Sequence, residues 1–209
     1  MIGIIDYGMG NLYSLSKALE RLGYTYEFVS RPERLKEYTG LILPGVGAFG
    51  DAIANIRELG LVEGIRDYAA SGRPILGICL GMQLLFDKSE EHGEHQGLSL
   101  LAGEVVRFQG EYKVPHMGWN QLEIKGDGSR KLPLLDGVQT GDYVYFVHSY
   151  HVRVKARDIL LATTDYYQDV TAIAGQGNVY GMQFHPEKSG DTGMRLLRNF
   201  AVQCEGGLA

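Results

Sequence analysis

Short apolar runs alternate with segments of helical spacing through the first half of the chain. Ile2, Ile4 and Ile5 predict a buried strand over 2–6. Asn11 is placed to cap a helix whose apolar face carries Leu12, Leu15, Leu19 and Leu22, with Gly23 closing it. Further strands are predicted over 24–30, 40–44 and 74–78. Helices fill 51–68, with a break near Gly60, and 80–88. This alternation implies a parallel sheet with helices on both faces. After Gly97 the pattern changes, because 104–108, 119–124, 143–154 and 159–164 read as strands with no long helix between them. An antiparallel or mixed extension follows from that. Strands over 173–175 and 180–184 restore the parallel rhythm, and a helix over 191–203 ends the pattern. The polar stretches 89–96 and 125–131 are predicted surface loops. The expectation is one domain over 1–209: an α/β protein with an open, mostly parallel (mixed) sheet flanked by helices and an antiparallel extension in its second half.

Composition narrows the function classes. With 44% apolar and 22% charged residues the chain is of ordinary globular type. A net charge of -5 without a long basic run argues against nucleic acid or an anionic membrane as partner. Arg130 with Lys131, and Arg195 with Arg198, read as solvated faces. The start has no basic n-region, and no apolar run approaches the roughly 18 residues of a membrane span, so a cytoplasmic location is expected. Two cysteines without a secretory signal make a disulfide framework unexpected. Cys204 reads as core filler; Cys79 has suggestive neighbours.

Gly45, Gly47 and Gly50 form a G-x-G-x-x-G, the spacing of dinucleotide sites. Such a site also needs an acidic residue at the end of the next strand to hold the ribose. Here that strand, 74–78, ends in a cysteine, and the motif follows the third strand instead of the first. A dinucleotide enzyme is therefore disfavoured.

Gly77-Ile78-Cys79-Leu80-Gly81 is the thiol version of a nucleophile elbow, in which small residues two before and two after the nucleophile permit a sharp strand-to-helix turn. A thiol at the start of a helix meets unpaired amide N–H groups and the positive end of the dipole, which favour the reactive thiolate. Its base must come from elsewhere in the chain. Among six histidines, His92 and His95 lie in a polar loop without a third metal ligand nearby, so no metal site is expected. His116, His148 and His151 carry no such signal. His185, in Gln183-Phe184-His185-Pro186-Glu187, is the best candidate, because an extended chain puts Glu187 on the same side, where its carboxylate can orient the imidazole.

Gly-Ile-Cys79-Leu-Gly-Met-Gln83 together with Phe-His185-Pro-Glu187 resembles the class I glutamine amidotransferases, whose flavodoxin-like domains hydrolyse L-glutamine to glutamate and ammonia. Asp6-Tyr-Gly-Met-Gly-Asn11, Pro44-Gly-Val-Gly-Ala-Phe-Gly50, Pro115-His-Met-Gly-Trp-Asn120 and Phe146-Val-His-Ser-Tyr150 look like the glutaminase subunits of imidazole glycerol phosphate synthase, of histidine biosynthesis. The resemblance implies a Cys79–His185–Glu187 triad working through a thioester, with no cofactor. It assigns Gly45, Val46, Gly47 and Leu80 to the oxyanion hole, and Gln83, Glu91, Ser149 and Tyr150 to glutamine binding. Asn11, Met117, Trp119, Asn120 and Lys188 would face a (β/α)8-barrel cyclase subunit, forming a heterodimer through which ammonia passes in a closed channel. The alternatives are a glutaminase serving pyridoxal phosphate, anthranilate or nucleotide synthesis, or a noncatalytic docking protein of the same fold.

Overall fold

The computed structural model describes residues 1–126 and 132–206. The predicted loop over 125–131, with the Arg130–Lys131 pair, lies for the most part outside the described residues.

The first half follows its hydrophobic pattern. It runs β1 (Ile2–Ile5), α1 (Leu12–Arg21), β2 (Tyr26–Val29), β3 (Gly40–Leu43), α2 (Phe49–Glu58), α3 (Leu61–Ala70), β4 (Ile75–Ile78) and α4 (Leu80–Leu84). Asn11 caps α1 by accepting the Ser14 N–H. The break predicted near Gly60 separates α2 from α3.

Helix α4 is shorter than the predicted 80–88. The carbonyls of Leu84, Leu85 and Phe86 accept amides from residues 98–101, which replaces the continuing helical ladder. The chain then forms β5 (Lys88–Ser89) and β6 (His95–Gln96), an antiparallel pair made from the end of the predicted helix and the segment 89–96 expected to be a loop. β7 (Gly103–Arg107), β8 (His116–Gln121), β9 (Glu123–Ile124), β10 (Tyr143–His148), β11 (Tyr150–Val154), β12 (Leu160–Asp165), β13 (Asp169–Gln176), β14 (Val179–Met182) and α5 (Gly190–Gly206) complete it.

The main sheet has the order β2-β1-β3-β4-β14-β13-β12-β9. Strands β2, β1, β3, β4 and β14 are parallel to one another. β13 is antiparallel to both neighbours, so the predicted return of parallel pairing at 173–175 does not occur. The two-residue link between β13 and β14 admits only an antiparallel hairpin. β14 itself is parallel to β4, as its apolar run suggested.

The single strand predicted over 143–154 is two. β10 pairs with β8, whereas β11 joins the four-stranded sheet β11-β7-β5-β6, and the crease falls at Ser149.

Alternate residues of the parallel strands feed two cores. Leu41 and Leu43 pack with α2, α3 and α4. Ile42, between them, packs with α1 and α5 through Leu15, Leu19, Leu197 and Phe200. Cys204 is buried in this second core. No helix among the described residues is long and apolar enough to cross a membrane.

Candidate active site

The register of β14 beside β4 brings two remote segments together. Met182 pairs with Ile78, and the Cys79 N–H donates to the Met182 carbonyl (2.8 Å). Residues 183–185 therefore emerge alongside the elbow at the carboxyl end of the sheet, where open α/β sheets place their sites.

Cys79 sits at φ 55°, a conformation that L residues rarely adopt and that sharp catalytic turns store as strain. Its glycine neighbours are required by contact: a Cβ on Gly77 would lie 2.6 Å from the Gly81 carbonyl oxygen, and one on Gly81 would collide with the Leu43 carbonyl.

His185 is buried, and its Nδ1 lies 3.0 Å from Glu187 Oε1. The pair is not in extended chain as the sequence implied: Glu187 belongs to a 3-10 turn, Pro186–Lys188, that follows His185. The turn still puts the carboxylate against the ring, and Ser189 fastens it. Its hydroxyl donates to the His185 carbonyl (2.6 Å) and accepts the Tyr145 N–H (2.9 Å).

Burial alone would lower the His185 pKa. Hydrogen bonds with Cys79 and Glu187, and the charges of both, outweigh it and push the imidazole up to about 10. The imidazole thus stands between the Cys79 sulfur and the Glu187 carboxylate, held charged well above its ordinary range. Glu187 Oε2 has no partner among the described residues, and Glu187 borders a small cavity of about 10 Å³ shared with Asn11, Gly45, Val46 and His185.

In front of the sulfur is a cavity of about 290 Å³ lined by Val46, Gly47, Cys79, Leu80, Gln83, Glu91, Val147, His148, Ser149, Tyr150 and His185. Every residue that the sequence assigned to glutamine binding lies there. Of the oxyanion candidates, Val46, Gly47 and Leu80 line it, and Gly45 sits behind them.

The buried Tyr7 hydroxyl donates to the Pro44 carbonyl (2.8 Å), fixing the strand that leads into the loop 45–47. Burial, then the charge of Cys79, raises its pKa, so it stays a donor.

Glu91, which the resemblance assigned to glutamine binding, also makes a contact within the protein. Its Oε2 accepts the Phe49 N–H at the start of α2 (2.8 Å). Gln83 is buried, and its Nε2 donates to the Tyr150 carbonyl (3.0 Å) and to Gln183 Oε1 (3.0 Å).

Three histidines without assigned roles line the wall behind Tyr150. His148 Nδ1 donates to the Tyr150 carbonyl (2.8 Å), its Nε2 meets His116 Nδ1 (2.9 Å), and His116 Nε2 meets the Asn120 side chain (2.8 Å). Burial pushes His148 down to about 3 and lowers His116. His151 stacks on Phe108. The only signal for this cluster was the scatter of histidines along neighbouring strand segments, which spacing alone could not assign. Among the described residues no group of three or more His, Cys, Asp or Glu is placed to hold a metal ion.

The residues expected at an interface divide. On β8, Met117 and Trp119 point outward, each more than half exposed, and Trp119 packs edge-on against Tyr145. Lys188 is exposed. Asn120 turns inward, using its amide on His116 and on the Asp165 carbonyl (2.9 Å), and Asn11 is engaged as the cap of α1.

Comparison with known proteins gives the family. The family model for class I glutamine amidotransferases matches residues 3–204. The imidazole glycerol phosphate synthase subunit HisH of Halalkalibacterium halodurans is 55% identical over 100% of this chain and 98% of its own. The HisH subunit of Geobacillus kaustophilus is 57% identical over 96% and 95%. A crystal structure of a glutamine amidotransferase superposes with a TM-score of 0.77 over 98% of both chains at 24% identity, which supports the fold. The chain belongs to the class I glutamine amidotransferase family, within its branch of HisH subunits of imidazole glycerol phosphate synthase.

Proposed function

We propose that Cys79, His185 and Glu187 carry out the glutaminase reaction. The Cys79 thiolate attacks the side-chain amide carbon of L-glutamine, and the carbonyl electron pair moves to oxygen. The Leu80 N–H and an amide of the Gly45–Val46–Gly47 stretch hold that oxyanion, each such donor contributing about 2.7–4 kcal/mol to the transition state. His185, already protonated, gives its proton to the departing nitrogen. Ammonia leaves and a γ-glutamyl thioester remains. The neutral imidazole then takes a proton from water, which attacks the thioester, and glutamate departs as the thiolate re-forms. Glu187 keeps the Nδ1 proton in place throughout.

The glutamine amino-acid end has matching groups. Both Gln83 amide protons are used within the protein, which leaves its oxygen for the substrate ammonium. Glu91 keeps Oε1 for the same group. Ser149 and Tyr150 present backbone to the substrate. The observation that carries this reading is the buried sulfur–imidazole–carboxylate line opening on one cavity with all four of these residues.

The 209-residue chain acts as one cytoplasmic domain, docked through Met117, Trp119 and Lys188, beside Asn11 and Asn120, to a (β/α)8-barrel cyclase in a heterodimer. Ammonia passes through a closed channel to that subunit, which forms imidazole glycerol phosphate and aminoimidazole carboxamide ribotide in histidine biosynthesis. Docking orients the 45–47 peptide planes, so the isolated chain turns over slowly.

The test is glutamate release with and without the cyclase and its nucleotide ligand, using Cys79→Ala as the blank. Strong stimulation in the complex and no release by the blank are expected. Equal rates for chain and complex would remove the activation by docking, and an active blank would remove the nucleophile.

A further inference from the structure

Gln183 follows β14 directly and is fully buried between Met182 and Phe184, which are equally buried. The reaction as derived does not use it. Its side chain nevertheless ends at the reacting atom: Nε2 lies 3.8 Å from Cys79 Sγ.

The direction of this amide is set by chemistry. A backbone carbonyl only accepts, so the group that Gln83 turns to the Tyr150 carbonyl is its NH2. The second proton of that NH2 points at Gln183, which must therefore present its oxygen there. Its own NH2 is left facing the sulfur. Tyr150 is itself held by a second donor, His148 Nδ1, so the anchor at the far end of the relay is fixed from two sides. Reversing either amide would set two like groups against each other in a dry site.

We propose that Gln183 is a further catalytic residue, whose amide N–H donates to the Cys79 sulfur and holds it as an aimed anion. This rests on Cys79 being the nucleophile. The contact strengthens whenever the sulfur is negative, so it favours the thiolate before attack and again when the thioester collapses. It is weakest while the acyl group is attached. Because the donor's partner is Gln83, the residue that lines the glutamine site also orients the group that steadies the nucleophile.

The experiment follows Cys79 alkylation by iodoacetamide in the full chain, by peptide mass spectrometry, for wild type, Gln183→Met and Gln183→Glu. Thiolate absorbance, taken as a difference against Cys79→Ser, is measured in parallel. Gln183→Met keeps the shape and removes the donor. A hydrogen bond to a charged group at this long separation predicts an ionisation of Cys79 about tenfold less favourable, read as a thiolate absorbance titration displaced to higher pH. Below that titration, alkylation is expected to be about threefold slower, because the loss of thiolate is partly offset by the greater nucleophilicity of a more basic one.

Gln183→Glu places a carboxylate against the sulfur and is expected to react more slowly still. Its rate relative to wild type should recover as pH falls and the new carboxyl becomes a donor. A purely structural role would not produce that recovery. In the wild-type chain, where folding is not in question, the Gln183 side-chain amide resonance should shift on alkylation of Cys79.

Coincident thiolate titrations in wild type and a folded Gln183→Met, or an amide resonance unmoved by alkylation, would overturn the proposal. A wild-type chain inert at Cys79 would instead remove the nucleophile reading beneath it.

Discussion

Replacing Glu187 by glutamine keeps the volume of the side chain and removes its charge. In the native chain Oε1 lies 3.0 Å from His185 Nδ1, and both side chains are almost wholly buried. A carboxylate only accepts, so it holds the proton on Nδ1 and turns Nε2 toward Cys79. An amide in its place would offer an NH2 as readily as an oxygen, and an imidazole that accepts at Nδ1 carries its proton on the wrong nitrogen. A misplaced ring proton undoes the proton transfer that the imidazole performs, which is worth about 10² to 10⁴ in rate. The expected result for Glu187→Gln, in complex with the cyclase, is a fall in kcat of that size with little change in KM. The pH dependence of stability carries a second signature. His185 is raised from 6.5 to about 10, against burial, by Cys79 and then Glu187. Its contribution is complete below pH 6.5 and is lost as pH rises toward 10. Urea unfolding should show that loss in the wild type, and in Glu187→Gln a smaller loss that starts at the same pH and is complete at lower pH. A variant that keeps kcat within about tenfold of wild type, or has the same alkaline limb, would refute the reasoning.

Three further outcomes follow from named contacts. Gly45→Ala puts a Cβ 2.5 Å from the Tyr7 hydroxyl and 2.9 Å from the Gly81 nitrogen, both fixed, so the loop must move. A loss of about 10² to 10³ in kcat is expected if an oxyanion donor moves with it, and wild-type turnover would show that the loop supplies none. Trp119→Ala removes an exposed ring that packs edge-on against Tyr145. Stability should stay within about 0.5 kcal/mol of wild type, while calorimetric titration with the cyclase shows affinity lower by about 2 kcal/mol or more; unchanged affinity would move the docking face elsewhere. Burial holds His148 at about 3, so its contribution to stability is complete above pH 6.5 and lost as pH falls toward 3. His148→Asn keeps a donor for the Tyr150 carbonyl and should flatten that acid limb, whereas an unchanged limb would contradict the burial account.

The parallel half of the fold was legible because each buried strand there is a continuous apolar run bounded by turn residues. The elbow was legible because the Gly81 backbone passes so close to Leu43 that no side chain fits. What stayed hidden depends on partners remote in sequence. The end of α4 is set by amides 98–101, and the crease at Ser149 divides β10 and β11 between sheets that local alternation does not distinguish. The contact of Glu91 with the Phe49 amide stayed hidden because the two lie 42 positions apart. Gln183 was visible only as a neighbour of His185, since the contact that gives it meaning comes from the pairing of β14 with β4.

The central claim is that residue 79 carries the glutamyl group between ammonia release and hydrolysis. Acid quenching of the complex during glutamine turnover, followed by peptide mass spectrometry, tests it most directly. The account predicts a glutamyl adduct on Cys79, absent from Cys79→Ala, which should release no ammonia. An adduct on any other residue, or ammonia released by Cys79→Ala at the wild-type rate, would contradict it.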